Sequence, residues 1–334
     1  MPKTQISNFI LSKINIDRAK YLFEKNSFLN IFYKIGSQLL IDNQYPTHVF
    51  IEATRICNLK CKACPSTIGS AEKGHMDIDL FKKIVDETKP FGRRNFCLHM
   101  LGEPLLHPSI IDMVKYIKSI NKNHSILLTT NGYFLDDLKA KELLKNNLDK
   151  ITISLFSIKK EKLLELTGSN DIKRVIDNIR HMSSLKKELQ SKTKIFIRFL
   201  LCDENKEELD DIQSLSSDLG VILEIRKTHN YSGVIENNLT MKSLPRERYP
   251  CYHLWFSHAI TWDGKVVLCC DDWNYSEVLG DIKEKSMSEI WQGERLKIIR
   301  KLHLQGNYRE IPVCSKCNVW SVYPDIFLKY QKRE

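Results

Sequence analysis

Short apolar runs alternate with helical periods through the middle of the chain. Six runs rich in Ile, Leu, Phe and Thr predict β-strands: HVFIEAT, NFCLHML, SILLTTN, KITISLF, KIFIRFL and VILEIR. Between them, apolar residues recur at helical spacing over 77–88, 108–120, 135–147, 171–190 and 205–220. Asp77 and Asp136 are expected as N-caps or first-turn acids, and Pro108 suits a first helical turn. This alternation predicts parallel strands with right-handed crossovers, in a barrel-like or open α/β sheet whose functional loops follow the strands.

The same pattern divides the chain into three parts. Residues 1–47 form an N-terminal extension, in which 18–41 predict an amphipathic helix that packs on the main domain or, alternatively, contacts a membrane surface. The α/β domain covers 48–235 and ends near the polar stretch NNLTMKSLPRERYP. Residues 236–334 contain a hairpin turning at Asp263 and Gly264, one amphipathic helix over 286–306 and a terminal cysteine pair. This last part is too small for a large core, and a metal would help hold it together.

Composition narrows the class of protein. With 42% apolar and 28% charged residues in a chain of 334, a globular fold is expected. The net charge of +10 is scattered, which we interpret as a solvated basic surface, with an acidic partner or anionic substrate as the alternative. No aromatic-studded basic motif indicates nucleic acid, no run of 18 apolar residues predicts a membrane span, and no export signal is recognisable. A cytoplasmic protein is therefore expected, whose ten cysteines are reduced thiols or metal ligands.

Three of these cysteines lie within eight residues, directly after the first predicted strand. Cys57, Cys61 and Cys64 form CNLKCKAC, with no fourth Cys or His at zinc-finger spacing. Structural zinc normally has four protein ligands, whereas three thiolates suit a cubane iron–sulfur cluster with one iron left open.

With these cysteines and further motifs at the following strand ends, residues 48–230 resemble the radical S-adenosylmethionine (SAM) family. Its Cys-x3-Cys-x-aromatic-Cys motif departs here only in having Ala63 at the aromatic position, and Leu101 replaces the first glycine of its Gly-Gly-Glu-Pro segment. The resemblance implies a partial (β/α)6 barrel that binds SAM and a [4Fe–4S] cluster and produces a 5′-deoxyadenosyl radical, which abstracts hydrogen from a substrate. The implied SAM-binding residues lie in or directly after strands two to five: Gly102, Glu103, Asn131, Ser154 and Arg198.

A second set of cysteines lies in the last quarter of the chain. Cys251, Cys269, Cys314 and Cys317 can enclose one metal centre, and from the thiols alone zinc and an iron–sulfur cubane remain equal alternatives. The order of these cysteines around GKVVLC and LGDI is similar to the SPASM/twitch extension of aminocyclitol dehydrogenases and peptide-modifying radical SAM enzymes. That resemblance implies one auxiliary [4Fe–4S] cluster on these four residues. Cys269 is preferred to its neighbour Cys270 because it satisfies the Gly-x4-Cys spacing.

Three cysteines remain. Cys97 is expected in the core, while Cys202, near the expected mouth of the site, and Cys270 are interpreted as inert small residues. Hydrogen-atom donation by either is the alternative. Other polar residues after the sixth strand and after the hairpin are weaker candidates and are expected to be solvated: Glu224, Arg226, Lys227, His229, Asp271, Asp272 and Trp273.

The resemblance leaves several functions open. The first is oxidation of a sugar, aminocyclitol or similar small molecule with help from the auxiliary cluster. One alternative is a peptide- or protein-modifying maturase, although residues 1–47 look too short to form the precursor-binding domain of such an enzyme. Another alternative is a radical epimerase. A non-catalytic zinc-binding protein is the alternative from another class. Each of the three enzyme functions would need a low-potential flavodoxin or ferredoxin as electron donor.

Overall fold

A nine-stranded sheet forms the centre of the computed structural model, which describes residues 45–68, 72–235 and 248–322. The predicted N-terminal helix lies outside these residues. The strands are β1 (His48–Ile51), β2 (Asn95–Cys97), β3 (Ser125–Thr130), β4 (Lys150–Leu155), β5 (Lys194–Leu200), β6 (Ile222–Arg226), β7 (Ser257–Ile260), β8 (Lys265–Val267) and β9 (Val278–Asp281). The α-helices are α1 (Ile78–Asp86), α2 (Ile110–Ile120), α3 (Asp137–Lys145), α4 (Lys160–Thr167), α5 (Ile172–Glu188), α6 (Leu209–Asp218), α7 (His253–Phe256), α8 (Met287–Trp291), α9 (Glu294–Leu304) and α10 (Pro312–Ser315).

The strand order is β6-β5-β4-β3-β2-β1-β7-β8-β9, with β1 to β6 parallel. In the described residues β6 does not pair with β1, so the sheet remains an open, partial barrel. The six predicted strands and the parallel arrangement are confirmed. The hairpin is also confirmed, since β7 and β8 pair antiparallel around the predicted turn. Its first strand pairs parallel with β1, which makes the C-terminal part a continuation of the barrel sheet.

Each barrel strand has an apolar outer face that packs against the helices. Ile151, Ile153, Ile197 and Phe199 are fully or almost fully buried in one core with residues of α2, α3 and α5. Because side chains alternate along a strand, the residues between them point to the opposite, inner face of the barrel. On β4 and β5 these inner residues include Ser154 and Arg198, which are only partly buried.

Helix boundaries followed the capping chemistry in most places. Asp77 and Asp136 accept hydrogen bonds from the first-turn amides of α1 and α3, as N-caps do. The expectation for Pro108 was wrong, because α2 begins at Ile110 with Ser109 as its N-cap. The amphipathic helix predicted over 286–306 is two helices, α8 and α9, since the chain leaves helical geometry before Gly293, the N-cap of α9. No helix among the described residues is long and apolar enough to cross a membrane.

Candidate active site and metal centres

The loop after β1 carries the first cysteine set and is braced by α4. The Lys60 and Lys62 amides donate to the carbonyls of Thr167 and Leu166, each at 2.9 Å, so the loop pairs with the last turn of the helix. Within it, the Cys64 amide donates to the Cys61 carbonyl at 3.1 Å and closes a turn. The helix that supports this loop, α4, was not predicted from the sequence.

The three thiols of this loop interact electrostatically. Burial raises the pKa of Cys57 to about 11, with further increases from Glu103 and Cys64. Burial raises the pKa of Cys61 still more, and the charges of Cys64 and Cys57 add to it. All three thiols are free of disulfides. Thiolates gathered in this way repel one another until a cation neutralises them, so the donor set fits an iron–sulfur cluster.

Ala63 leaves the aromatic position of the loop without a ring, and the structure supplies one from elsewhere. Phe156, which directly follows β4, lies in one buried cluster with Ala63, Leu166 and Cys202. Cys202 is only 4% exposed and its amide donates to Asn205 Oδ1. The structure therefore places Cys202 in the apolar support of the cysteine loop, at the expected end of the barrel and buried as a small residue.

Gly102 and Glu103 connect the ends of β1, β2 and β3. Gly102 has φ +88°, and a Cβ there would lie 2.2 Å from the Thr54 carbonyl oxygen, so no other residue fits without a backbone shift. The Glu103 carboxylate is buried and accepts three hydrogen bonds, from Leu105 N, Thr130 Oγ1 and Asn131 N. Burial raises its pKa to about 6. The side chain of Glu103 is therefore engaged in holding two strand ends together.

Asn131 lies between this network and the cysteine loop. Its backbone amide donates to Glu103, while its side-chain Nδ2 donates to Asn58 Oδ1 at 2.9 Å. Asn58 is the residue that follows Cys57. The structure thus brings Asn131, Glu103 and the first cysteine set to one end of the barrel.

A polar row crosses the inner face over three strands. Ser154 on β4 is in register with Arg198 on β5, and Arg198 with Glu224 on β6. Arg198 Nε donates to Glu224 Oε2 at 2.7 Å, and Arg226 Nη2 lies 2.7 Å from Glu224 Oε1. Burial alone would raise the pKa of Glu224, but the two guanidinium groups outweigh it and hold the pKa below its usual value. Glu224 is therefore charged and paired, which corrects its assignment as a solvated strand end. Lys227 is exposed as expected.

The inner face continues from this row to the loop after β8 through packed rings. His99 interacts electrostatically with Arg198 and packs edge-on against Phe50 of β1, at 6.0 Å between ring centroids. Phe50 in turn packs edge-on against His253, at 5.8 Å. Ligand-type atoms of His253, Cys270 and Asp271 all lie within 4.8 Å of one another. A series of contacts on the inner face thus reaches from β5 to the second cysteine region.

Asp271 and Asp272 are buried, not solvated as expected. Asp271 Oδ1 lies 3.3 Å from His229 Nδ1, and Asp272 accepts bonds from Ser276 N, Ser276 Oγ and Glu277 N, which shape the loop. Trp273 contributes its carbonyl to Arg55.

The four cysteines of the second set come from three segments, since Cys314 and Cys317 lie in one C-x2-C motif. Burial raises the pKa of Cys251 to about 11 and of Cys317 to about 12. Burial also raises the pKa of Cys269 and of Cys314 well above the usual value, and Cys317 adds to both. The set is therefore mutually repelling and fits one closed metal centre.

The neighbours Cys269 and Cys270 have different surroundings. Cys269 is buried in an apolar cluster with Cys251 and Cys314, whereas Cys270 Sγ lies 3.6 Å from Asp271 Oδ2 and near His253. Cys97 is buried, as expected for a core residue. This arrangement favours Cys269 as the ligand and places Cys270 beside His253 and Asp271.

Comparison with known proteins agrees with these two centres. Residues 51–237, more than half of the chain, match the radical SAM superfamily. The chain belongs to this superfamily. Residues 251–318 match the SPASM iron-sulfur cluster-binding domain. The protein is therefore a radical SAM enzyme with a SPASM domain, and its cofactors are SAM, a [4Fe–4S] cluster and auxiliary iron–sulfur.

Two curated radical SAM relatives and one solved structure illustrate the similarity. The tungsten-containing aldehyde ferredoxin oxidoreductase cofactor-modifying protein of Pyrococcus furiosus is 25% identical over 315 residues, covering 81% of this chain and 87% of that protein. The S-adenosyl-L-methionine-dependent 2-deoxy-scyllo-inosamine dehydrogenase of Niallia circulans is 24% identical over 280 residues, covering 81% and 92%. The structure of Streptococcus suis SuiB bound to precursor peptide SuiA has a TM-score of 0.65 at 13% identity, covering 88% of this chain and 75% of that chain, and shows the shared fold.

Several residues of these radical SAM and SPASM sites were missed in the sequence. Tyr231 interacts electrostatically with Cys64 and Cys61 on one side and with Asp271 and Cys270 on the other. His303 contacts Cys314 and Cys251. For His303 a signal existed, since Leu296, Ile299 and His303 follow helical spacing on the buried face of α9.

Proposed function

We propose that this radical SAM enzyme oxidises a sugar, aminocyclitol or similar small molecule. When bound, SAM and its [4Fe–4S] cluster would supply a radical for hydrogen abstraction through reductive cleavage of SAM. The auxiliary cluster would supply an acceptor for a second electron. Cys57, Cys61 and Cys64 would hold the first cluster. Cys251, Cys269, Cys314 and Cys317 would hold the second.

The proposed SAM-binding residues have different tasks. Asn131 and the Gly102–Glu103 backbone lie beside the cysteine loop, which supports direct contact with SAM. The Glu103 carboxylate instead fixes the Asn131 amide. Ser154 and Arg198 lie on the inner face, and Arg198 Nε is already engaged by Glu224, so Arg198 would reach SAM only through its other guanidinium nitrogens.

The polar row of the inner face carries the proposal for the substrate. Ser154, Arg198, Glu224 and Arg226 offer both donors and acceptors on the inner face of the sheet. Hydroxyl and amino groups of a sugar or aminocyclitol can pair with these groups, whereas an apolar substrate would leave them unsatisfied. The named activity of the Niallia circulans relative, a SAM-dependent dehydrogenase of an aminocyclitol, supports the same class.

Isotope transfer tests this function. Anaerobic, reduced enzyme should be mixed with SAM and aminocyclitols or sugars that carry deuterium at each candidate carbon. We expect deuterium in 5′-deoxyadenosine and one equivalent of ketone for each equivalent of 5′-deoxyadenosine, with neither formed by Cys57→Ala. Label taken only from peptides would establish the maturase alternative. Solvent deuterium entering the carbon without ketone formation would establish the epimerase.

The electron donor is proposed to be an acidic flavodoxin or ferredoxin. Lys60 and Lys62 flank Cys61 and are exposed, and the chain carries a net charge of +10, so a negatively charged donor would be attracted to the cysteine loop. The reduction rate should fall as salt is added, and a rate independent of salt would contradict this docking. A reducing cytoplasmic location is part of the same proposal, and the ten free thiols support it.

A further inference from the structure

One buried imidazole contacts two ligands of the proposed auxiliary centre. His303, in the last turn of α9, is fully buried. Its Nδ1 lies 3.3 Å from the backbone nitrogen of Cys251, and its Nε2 lies 3.3 Å from Cys314 Sγ. These two cysteines come from separate segments, before α7 and in α10. His303 therefore spans the two segments on one side of the cysteine set.

The contacts of His303 determine its tautomer. A backbone N–H can only donate, so Nδ1 accepts the bond from Cys251 and carries no proton. An imidazole ring always carries at least one proton, so with Nδ1 accepting, that proton is on Nε2. That N–H points to Cys314 Sγ. A thiolate is a much stronger acceptor than a thiol, so this bond strengthens when Cys314 becomes a ligand.

A neighbouring aromatic ring packs against the imidazole and restrains its orientation. Tyr308 packs edge-on against His303, at 5.0 Å between ring centroids, and its hydroxyl donates to the Arg248 carbonyl. Hydrogen bonds to the sulfurs of an iron–sulfur cluster are among the factors that set its potential, because they stabilise the added negative charge of the reduced state.

We propose that His303 is a positioning residue of the auxiliary cluster, which orients Cys251 and, by donating from Nε2 to the Cys314 thiolate, raises the reduction potential of the cluster. This inference rests on the proposed ligand set. It assigns to His303 a role that no similarity to the family supplies.

The test measures the auxiliary cluster alone, in the full chain with Cys57, Cys61 and Cys64 replaced by Ala. In this background we compare His303→Phe, which removes donor and acceptor, with His303→Gln, whose amide can donate in place of Nε2. The matched control is His124→Phe, since His124 is equally buried and its Nδ1 accepts the Arg94 amide at 3.0 Å, away from the second cysteine set. Iron and sulfide contents are measured together with redox titrations followed by electron paramagnetic resonance.

We expect His303→Phe to retain its iron and shift the potential to more negative values. His303→Gln should stay near the parent, and His124→Phe should not shift. An unchanged potential in His303→Phe overturns the proposal. Loss of iron from both His303 variants also overturns it, because His303 would then serve assembly only. A parent background without any cluster disproves the ligand set itself, a result seen before His303 is changed.

Discussion

At the scale of single residues, Glu103 shows how a motif residue acts through its neighbours. Its carboxylate is 2% exposed and all three of its recorded partners are donors: Leu105 N, Thr130 Oγ1 and Asn131 N. Thr130 Oγ1 also accepts the Gly132 amide, so its own proton must point to Glu103. A carboxylate satisfies this arrangement, whereas an amide would turn an NH2 group towards a donor whichever way it is flipped.

Glu103→Gln should therefore destabilise the chain although its shape is nearly unchanged. An unsatisfied buried polar group costs about 1–3 kcal/mol, so we expect the free energy of unfolding to fall by about that amount. The measurement is a urea titration of the cluster-loaded protein, with the exposed Glu161→Gln on α4 as the control. If the two variants unfold at the same urea concentration, the three hydrogen bonds do not contribute as described.

At the scale of elements, the strands were predictable because their outer face is buried, so apolar residues recur at every second position of short runs rich in Ile, Leu, Phe and Thr. Two helical elements were not. The segment that forms α4 is short and charged, and its stability comes from contact with the cysteine loop, which the sequence does not display. The break between α8 and α9 lies at Gly293, whose extended backbone interrupts an otherwise continuous helical pattern and makes it the N-cap of α9.

Some residues of the candidate site were likewise predictable from the sequence and others were not. The first cysteine set is local in the sequence, so its spacing was enough to predict it, whereas the second set spans 251–317 and was predicted from the resemblance to the SPASM/twitch extension. The polar row could not, because it exists only through the register between Ser154, Arg198 and Glu224 on three strands. Charged residues that look solvated when each strand is considered alone form a paired, partly buried group when the strands align.

At the scale of the whole molecule, a buried ion pair joins the two cysteine regions. Glu52 and Arg55 follow β1, are 0% and 2% exposed, and lie 3.4 Å apart. Arg55 Nη2 donates to the Trp273 carbonyl at 2.5 Å, and the Tyr275 hydroxyl donates to Glu52. Both partners lie in the loop that follows Cys269 and Cys270. The segment that leads into the first cysteine set is thereby bonded to the loop of the second.

Removing one member of this pair should cost far more than removing both. Arg55→Met leaves the Glu52 charge buried without its partner, which costs about 3–5 kcal/mol of unfolding free energy, whereas Glu52→Gln combined with Arg55→Met should recover much of that loss. Lys173→Met is the control, since its pair with Asp177 is exposed and should be worth under about 1 kcal/mol. Equal losses in the single and double variants would contradict a buried, compensated pair.

The loss of unfolding free energy in Arg55→Met should also depend on pH. Burial raises the pKa of Glu52 to about 7, against the lowering effects of Tyr275 and Arg55. Folding raises this pKa from the usual 4.5, so Glu52 reduces stability as pH rises from about 4.5 to about 7, and the loss is complete above that value. Without Arg55 the charged form is costlier still, so Arg55→Met should be more destabilising at pH 8 than at pH 6. Urea titrations at the two pH values measure the difference, and an Arg55→Met defect that is constant with pH would show that Glu52 is not the group left uncompensated.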